Sequence, residues 1–148
     1  MDLSIIIVSW NVKEKLKDNL RAIYESQNVD FEVFVVDNNS ADGSAEVVKK
    51  EYPKVKLIAN RENLGFAKAN NFGAKKASGK YLCFLNSDTL FVDDSLNLVL
   101  EKLKTDPQVG LIAPKLLNKD LSLQIPGSIL GRWKYLGKKE REVSFLSG

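Results

Sequence analysis

The sequence predicts an α/β fold, with a mostly parallel sheet that carries helices on both faces. Short aliphatic runs rich in β-branched residues recur along the chain, and their length is typical of strands buried on both faces. Segments with apolar residues at helical spacing separate these runs. Strands that alternate with helices are joined by crossover connections and therefore lie parallel. The alternation holds to about residue 117, so we expect the core at residues 3–117.

The first three elements are a strand, a helix and a strand. Residues 3–8 form a continuous aliphatic run that ends at the polar Ser9. The next segment predicts a helix over the sheet, because its apolar residues recur three and four positions apart, and Asn28 is its expected stop. These apolar residues are Leu16, Leu20, Ile23 and Tyr24. Residues 31–36 form the second strand, which also ends in a polar cluster.

The middle of the chain predicts two more helices around a short strand. Residues 45–51 have valines on one side and lysines on the other, and Pro53 closes this short helix. Residues 55–59 form the third strand. Small side chains dominate residues 67–77, which predicts a helix that approaches its neighbours closely, with Gly79 as its C-cap signal.

The last regular elements are predicted between residues 81 and 113. Residues 81–85 are a run of large apolar side chains, typical of a buried strand. Apolar residues at helical spacing predict a helix over 96–103, and residues 109–113 predict a fifth strand that Pro114 stops. Residues 118–148 have no sustained periodicity, which indicates loops with room for an edge strand.

Composition limits the chemistry of the chain. Its 148 residues suit a single domain, and 22 basic against 19 acidic residues are too balanced to indicate nucleic acid as a partner. Histidine is absent and cysteine occurs once, which excludes a Ser-His-Asp triad, a Cys-His dyad and a zinc site of His and Cys ligands. Acid, base and ligand roles therefore fall mainly to carboxylates, which favour Mg2+ or Mn2+. Cys83 lies in an apolar run, so we expect a small buried hydrophobe.

The sequence indicates a cytoplasmic protein, with any membrane association peripheral and at the inner face. Residues 1–3 lack the features of a signal peptide, and no apolar stretch approaches the ~20 residues that span a bilayer. A basic cluster could contact anionic lipid or a phosphate-bearing acceptor, and a solvated surface is the alternative. The cluster contains Arg132, Trp133, Lys134, Tyr135, Lys138, Lys139 and Arg141. No feature of the sequence indicates an oligomeric state.

Polar side chains follow three predicted strands, at residues 9–11, 37–44 and 86–88. The carboxyl ends of parallel strands meet at one edge of the sheet, where ligands of α/β proteins bind. Asp37 could accept a hydrogen bond from a nucleotide base, and Asp88 could bind a divalent cation that neutralises a diphosphate leaving group. These polar neighbours suit a nucleotide-sugar. The alternative for Asp88 is a turn or N-cap aspartate.

Four motifs give the chain a resemblance to a known family. They are Val8-Ser9-Trp10-Asn11, Val36-Asp37-Asn38-Asn39-Ser40-Ala41-Asp42-Gly43-Ser44, Glu62-Asn63-Leu64-Gly65-Phe66-Ala67 with Asn70-Asn71-Phe72-Gly73, and Leu85-Asn86-Ser87-Asp88-Thr89. With these motifs the chain resembles the inverting family 2 glycosyltransferases of the GT-A fold. It looks most like their rhamnosyltransferase-like branch, which acts in bacterial cell-surface polysaccharide assembly. The resemblance covers roughly residues 3–117 and implies a Rossmann-like sandwich that is truncated at its C-terminus.

The resemblance also implies ligands and roles. The donor would be a UDP- or dTDP-sugar with Mn2+ or Mg2+, and Asp88 stands at the position that carries the metal. Asn86 departs from the family's usual Asp-X-Asp, which leaves one carboxylate for the metal. Asp37 would contact the base. The residues implied to border the nucleotide-sugar are Ser9, Asn11, Asp37, Asn39, Asn63, Gly65, Phe66, Ala67, Asn71, Asn86 and Ser87.

The resemblance leaves the catalytic base outside the chain. Inverting transfer needs a carboxylate that deprotonates the acceptor hydroxyl, and in the family it follows a segment whose opening Ser147-Gly148 resembles. We therefore expect one nucleotide-sugar-binding domain over residues 1–148, inactive alone, with residues 118–148 starting the acceptor-side region. The acceptor would be a cell-surface polysaccharide or a lipid-linked saccharide.

Two alternatives remain open beside a transferase domain. The first is a non-catalytic nucleotide-sugar-binding module of the same fold. The second is a dinucleotide oxidoreductase domain, which is disfavoured because Ser9-Trp10-Asn11 stands where the glycine-rich fingerprint would follow the first strand.

Overall fold

The computed structural model describes residues 1–26, 29–92, 94–124 and 144–147. The chain divides into two units, Met1–Thr89 and Leu90–Gly148. The prediction of a single domain stays a prediction. The expected helix stop at Asn28 and the basic cluster at residues 132–141 lie outside the described residues.

A four-stranded parallel sheet forms the centre of the first unit. Its strands are β1 (Leu3–Ser9), β2 (Phe31–Asp37), β3 (Lys56–Ala59) and β4 (Tyr81–Asn86). The strand order is β3-β2-β1-β4, and each neighbouring pair is parallel. The predicted parallel sheet is therefore confirmed, and β1 lies inside it because its aliphatic side chains are buried on both faces.

Three helices connect these strands, as the alternation predicts. They are α1 (Lys13–Ser26), α2 (Ser44–Glu51) and α3 (Phe66–Ala74). On one face of the sheet, Ala69 of α3 packs against Ile6, Phe34 and Val36. A Cβ added at Gly73 would lie 2.7 Å from Ile6 Cγ2, so the small residues of α3 allow the close approach that the sequence predicts.

The predicted C-cap at Gly79 is wrong. Helix α3 ends at Ala74, and Lys75 follows with ordinary right-handed backbone angles. Gly79 instead lies against β1, where an added Cβ would be 2.6 Å from both the carbonyl carbon of Leu3 and the amide nitrogen of Ser4. Glycine is required here because two backbone segments touch, which only the tertiary structure brings about.

A buried carboxylate joins three segments near the amino ends of the strands. Glu32 of β2 is 5% exposed, and its Oε1 accepts hydrogen bonds from Ser4 Oγ (2.6 Å), Ser78 N (2.7 Å) and Ser78 Oγ (2.8 Å). Its Oε2 pairs with Lys56 Nζ of β3. Burial alone would raise the pKa of Glu32, but these hydrogen bonds outweigh it and hold the pKa at about 2.

The predicted burial of β4 holds for one face only. Leu85 is buried, whereas Leu82 and Phe84 on the other face are 45% and 52% exposed. The cause is the place of β4, which is the outer strand of this sheet among the described residues, while α3 contacts β1 and β2. Cys83, which the sequence predicts to be buried, is partly exposed; desolvation still raises the pKa of its thiol to about 12, so the thiol is un-ionised at neutral pH.

The second unit contains helix α4 (Ser95–Thr105) and a small sheet. The strands of the sheet are β5 (Thr89–Phe91), whose first residue is the last of the first unit, β6 (Lys115–Leu117) and β7 (Ser144–Ser147), in the order β5-β7-β6. The predicted strand at 109–113 is wrong, since these residues have no regular structure and Leu111 is 88% exposed. A β-branched run becomes a strand only where a neighbour pairs with it, and here pairing begins after Pro114. No described helix is long and apolar enough to cross a membrane.

Candidate functional site

The polar strand ends converge at one edge of the parallel sheet. Ser9, the last residue of β1, pairs in register with Asp37, the last residue of β2. On the other side of β1, Val8 pairs with Asn86, where β4 ends. The three polar endings therefore lie side by side, as the sequence predicts for parallel strands.

A cavity of about 430 Å³ opens at this edge, within the size range of small-molecule sites. Its lining combines apolar and aromatic side chains with amides, a hydroxyl and one carboxylate. The lining residues are Val8, Trp10, Val12, Asn38, Asn63, Gly65, Phe66, Asn86, Ser87 and Asp88.

The cavity brings together half of the residues that the sequence assigns to the ligand. Those that line it are Asn63, Gly65, Phe66, Asn86, Ser87 and Asp88. Those that do not line it are Ser9, Asn11, Asp37, Asn39, Ala67 and Asn71. Ala67 and Asn71 are exposed on α3. The ligand roles of all twelve stay predictions.

Asp37 and Ser9 are buried beneath the edge rather than exposed on it. Asp37 is 3% exposed, and its Oδ2 accepts a hydrogen bond from Ser40 N at 2.9 Å, which fixes the turn after β2. Its Oδ1 and the Oγ of Ser9 are buried without a hydrogen-bond partner among the described residues. Buried polar atoms of this kind are costly unless a ligand or water satisfies them.

Asn11 links two loops through its backbone and its side chain. Its amide nitrogen donates to Ser40 Oγ (2.9 Å), and its Oδ1 accepts from Ala41 N (2.8 Å). Beside it, Lys13 N at the start of α1 donates to Asp42 Oδ2 (2.8 Å). These contacts tie the β1–α1 loop to the β2–α2 loop, so the Asn11 oxygen already has a structural partner.

Positive backbone angles explain part of the asparagine and glycine content of the motifs. Asn11 and Asn39 have φ angles of 53° and 62°, in the left-handed region that asparagine tolerates better than most residues. Gly65 has φ 76° at the start of α3 and receives a hydrogen bond on its carbonyl from Asn38 Nδ2 at 3.5 Å. For Asn11 and Asn39, backbone conformation is therefore a sufficient reason for the residue type.

Four residues that line the cavity are absent from those that the sequence assigns to the ligand, namely Val8, Trp10, Val12 and Asn38. Asn38 lies between Asp37 and Asn39, and its Oδ1 accepts a hydrogen bond from Asn60 Nδ2 at 2.9 Å. Trp10 is 56% exposed, although large aromatic side chains are usually buried. The sequence did carry a signal for Trp10, because an aromatic residue directly after a buried strand lies at the ligand-binding edge.

Asp88 presents the only carboxylate among the residues that line the cavity. Its side chain is 37% exposed, and Asn86 and Ser87 line the same space with further oxygen donors. In the part of the chain that the structure describes, no three or more His, Cys, Asp or Glu side chains are placed so that together they could hold a metal ion. The donors present fit a hard cation that takes its remaining ligands from phosphate oxygens and water, as Mg2+ does in nucleotide sites.

The turn that carries Asp88 is held from α1. The Nδ2 of Asn19, a fully buried side chain, donates to the carbonyl of Thr89 and, at 3.4 Å, to that of Asn86. These two carbonyls flank Ser87 and Asp88. Sequence reasoning missed Asn19, because its partners lie 67 and 70 residues away in the chain.

We expect Asn19→Leu to destabilise the first unit by about 2 kcal/mol, because leucine leaves the carbonyl of Thr89 buried without its donor. Urea unfolding measures this change. Asn97→Leu is the matched control, since Asn97 Nδ2 donates to an exposed carboxylate of Asp94. Equal stability of the two variants would contradict the role of Asn19.

Comparisons with known proteins identify the family of the chain and match its fold. The family model "Glycosyl transferase family 2" matches residues 4–144. Poly-beta-1,6-N-acetyl-D-glucosamine synthase of Staphylococcus epidermidis is 28% identical over 134 residues, which cover 88% of this chain and 31% of that protein. The mannosyltransferase PcManGT from Pyrobaculum calidifontis, solved with GDP-Man and Mn2+, is similar with a TM-score of 0.67 and 27% identity over 78% of this chain and 34% of that one. S. aureus TarS has a TM-score of 0.65 and 26% identity over 80% of this chain and 21% of its own. The chain thus spans about a third or less of these proteins.

Proposed function

Because this chain belongs to glycosyl transferase family 2 and has the α/β fold of its GT-A members, we propose that it binds the nucleotide-sugar donor of a polysaccharide-forming glycosyltransferase. The donor would be a UDP- or dTDP-sugar, and the sugar would pass with inversion to a cell-surface polysaccharide or lipid-linked acceptor. The rhamnosyltransferase-like branch is part of this proposal and rests on the sequence motifs.

The observation that carries the proposal is the cavity at the carboxyl edge of the sheet. Trp10 offers an exposed aromatic face on which a nucleotide base could stack, and the exposed Asn63 offers an amide group for hydrogen bonds to base or sugar. Asp88 lies in the same cavity, where a diphosphate would need a counter-charge. This combination of an aromatic face, amides and a carboxylate suits a nucleotide-sugar better than a purely apolar ligand.

The proposed metal ligand is Asp88, with Asn86 and Ser87 beside it. Mn2+ or Mg2+ bound there would neutralise the negative charge of the departing diphosphate. The similar PcManGT structure contains Mn2+, which supports a divalent ion in this kind of site. The chain's own contribution is to hold the Asp88 carboxylate in place through the turn that Asn19 fixes.

We place the catalytic base outside the residues that line the cavity. Asp88 is the one carboxylate there, and as a metal ligand it is unsuited to accept the proton of an acceptor hydroxyl. Asp94 flanks the start of α4, and Asp120 accepts hydrogen bonds from Ser122 in a turn, both of which are structural roles. The chain would then bind the donor and leave activation of the acceptor to another segment.

A non-catalytic binding module of the same fold is the second candidate. The lack of a candidate base among the described residues that line the cavity favours it as much as it favours a partial transferase. Donor binding without sugar transfer, in this chain and in any longer form of the protein, would select the binding module.

We expect UDP, dTDP or GDP to bind saturably in isothermal titration calorimetry, and MnCl2 to tighten that binding, because the cavity joins an aromatic face to a metal-binding carboxylate. Trp10→Ala should weaken nucleotide binding about tenfold through the loss of base stacking. Phe72→Ala is the matched control, since Phe72 is 42% exposed on α3 but does not line the cavity. The proposed function fails if none of the three nucleotides binds with or without MnCl2.

A further inference from the structure

One face of α1 contacts the turn that carries Asp88 at two points. Lys15 and Asn19 are four residues apart on this helix and therefore lie on the same side of it. Asn19 fixes the backbone of the turn through the carbonyls of Asn86 and Thr89. The Nζ of Lys15 lies 3.8 Å from Oδ2 of Asp88, the carboxylate proposed to bind the metal.

From this contact we infer that the ammonium of Lys15 acts as a built-in cation, meaning a permanent positive charge within the site. This charge lowers the affinity of the site for a divalent metal and raises the affinity of the site for a diphosphate that carries no metal. The inference rests on the proposed function and deepens it, because it assigns a residue that sets how strongly donor binding depends on metal. Lys15 is thereby a specificity-determining residue rather than a catalytic one.

The charge balance of the turn supports the inference. Asp88 brings one negative charge, and Asn86 brings none where a second carboxylate would bind the metal more strongly. Lys15 places a positive charge 3.8 Å from the carboxylate of Asp88 in the free protein. A divalent ion at Asp88 must displace the ammonium or tolerate its repulsion at close range, which weakens metal binding.

The position and exposure of Lys15 allow it to act on phosphate. Its side chain is 54% exposed. The ammonium is a compact charge at the end of a flexible four-carbon chain, so it can move toward a phosphate as phosphate-binding lysines do. Val12, one turn earlier on the same segment, lines the cavity, so the start of α1 borders the space that the diphosphate would occupy. An ammonium beside both Asp88 and this space attracts phosphate in the absence of metal.

A purely structural ion pair makes a different prediction. Loss of an exposed pair would change the stability of the fold slightly and would leave both ligand affinities alone. A built-in cation requires the two affinities to move in opposite directions when the charge is removed. The direction of the two changes therefore distinguishes the roles, whatever the effect on stability.

The test is Lys15→Gln in the full 148-residue chain. Mn2+ binding without nucleotide is measured by electron paramagnetic resonance of the free ion, and UDP and pyrophosphate binding without metal by calorimetry. We expect Mn2+ to bind about two- to fivefold more tightly and the two diphosphates to bind about two- to fivefold more weakly, the range that half-exposed charge pairs give. Lys15→Arg keeps the positive charge, so its affinities for Mn2+ and for the two diphosphates should stay close to those of the wild type.

Lys17→Gln is the matched control. It removes the same charge from the same helix, but Lys17 pairs with Glu51 of α2 at 3.3 Å instead of with Asp88. Equal shifts in the two variants would mean a general charge effect and would overturn the inference, as would unchanged affinities in Lys15→Gln. If the wild-type chain binds neither Mn2+ nor any diphosphate, the proposed function falls as well, so the two failures are distinguishable.

Discussion

Asp88→Asn is expected to abolish the metal-dependent part of nucleotide binding. The substitution keeps the shape of the side chain and removes the one carboxylate that lines the cavity. Loss of a partner behind a metal ligand typically costs 10- to 100-fold in metal affinity, so loss of the ligand itself should cost more than about 100-fold. Calorimetry with each nucleotide, with and without MnCl2, should show the same affinity under both conditions.

Stability and a matched variant separate this effect from unfolding. Asp88 forms a half-exposed ion pair with Lys15, so its loss should change the free energy of unfolding by no more than about 1 kcal/mol. Asp18→Asn is the control, because Asp18 is an exposed residue of α1 that pairs with Arg21 and does not line the cavity. A Mn2+ dependence that survives in Asp88→Asn would remove Asp88 from the metal site.

The largest expected effect on stability is that of Glu32→Gln, about 3 kcal/mol at neutral pH. Glutamine keeps an oxygen for Ser4 and Ser78, but its amide faces the ammonium of Lys56 and the charge-assisted hydrogen bonds are lost. The magnitude follows from the pKa of Glu32, which lies at about 2 in the fold against an ordinary value of 4.5. Urea unfolding of the wild type and the variant measures the difference.

The sign of the pH dependence follows from the same lowered pKa. A carboxyl whose pKa is lower in the folded state stabilises the fold fully above its unfolded pKa, here about 4.5, and loses that contribution as the pH falls toward 2. The stability gap between wild type and Glu32→Gln should therefore narrow as the pH is lowered from about 5 toward 2.

Glu51→Gln is the control for Glu32. The same chemical change there affects an exposed pair with Lys17 and should cost less than about 1 kcal/mol. Equal losses in the two variants at pH 7, or a gap between wild type and Glu32→Gln that does not change with pH, would contradict the role of the buried carboxylate.

Strand and helix positions were largely predictable because their causes are local. Each pattern is formed by residues that are near one another in the sequence: the aliphatic run of β1, the helical spacing of α1 and the small residues of α3. The structure confirms all three elements. The two wrong assignments, the strand at 109–113 and the cap at Gly79, depend on partners elsewhere in the chain. Strand pairing and the close approach of two backbone segments depend on residues that are distant in the sequence, so neither leaves a pattern in the local sequence.

The site was predictable only as a region. Parallel strands place their carboxyl ends at one edge, so polar residues after β1, β2 and β4 had to meet there. The strand pattern does not say which side chain of a polar run faces the ligand, because the backbone turns after the strand ends. Asn38 and Asp37 are both buried, but Asn38 lines the cavity, whereas Asp37 beside it fixes the turn through Ser40 N.

By itself, the sequence determined the parallel α/β fold, the edge at which the polar strand ends meet, the absence of histidine chemistry and the resemblance to family 2 glycosyltransferases. Only the tertiary structure decided that Asn19 of α1 holds the turn of Asp88 and that Lys15 pairs with its carboxylate, and that Glu32 joins Ser4, Lys56 and Ser78. The physical reason is distance along the chain. Periodicity and turn chemistry act between near neighbours, whereas these contacts join residues that are brought together only when the sheet and its helices have packed.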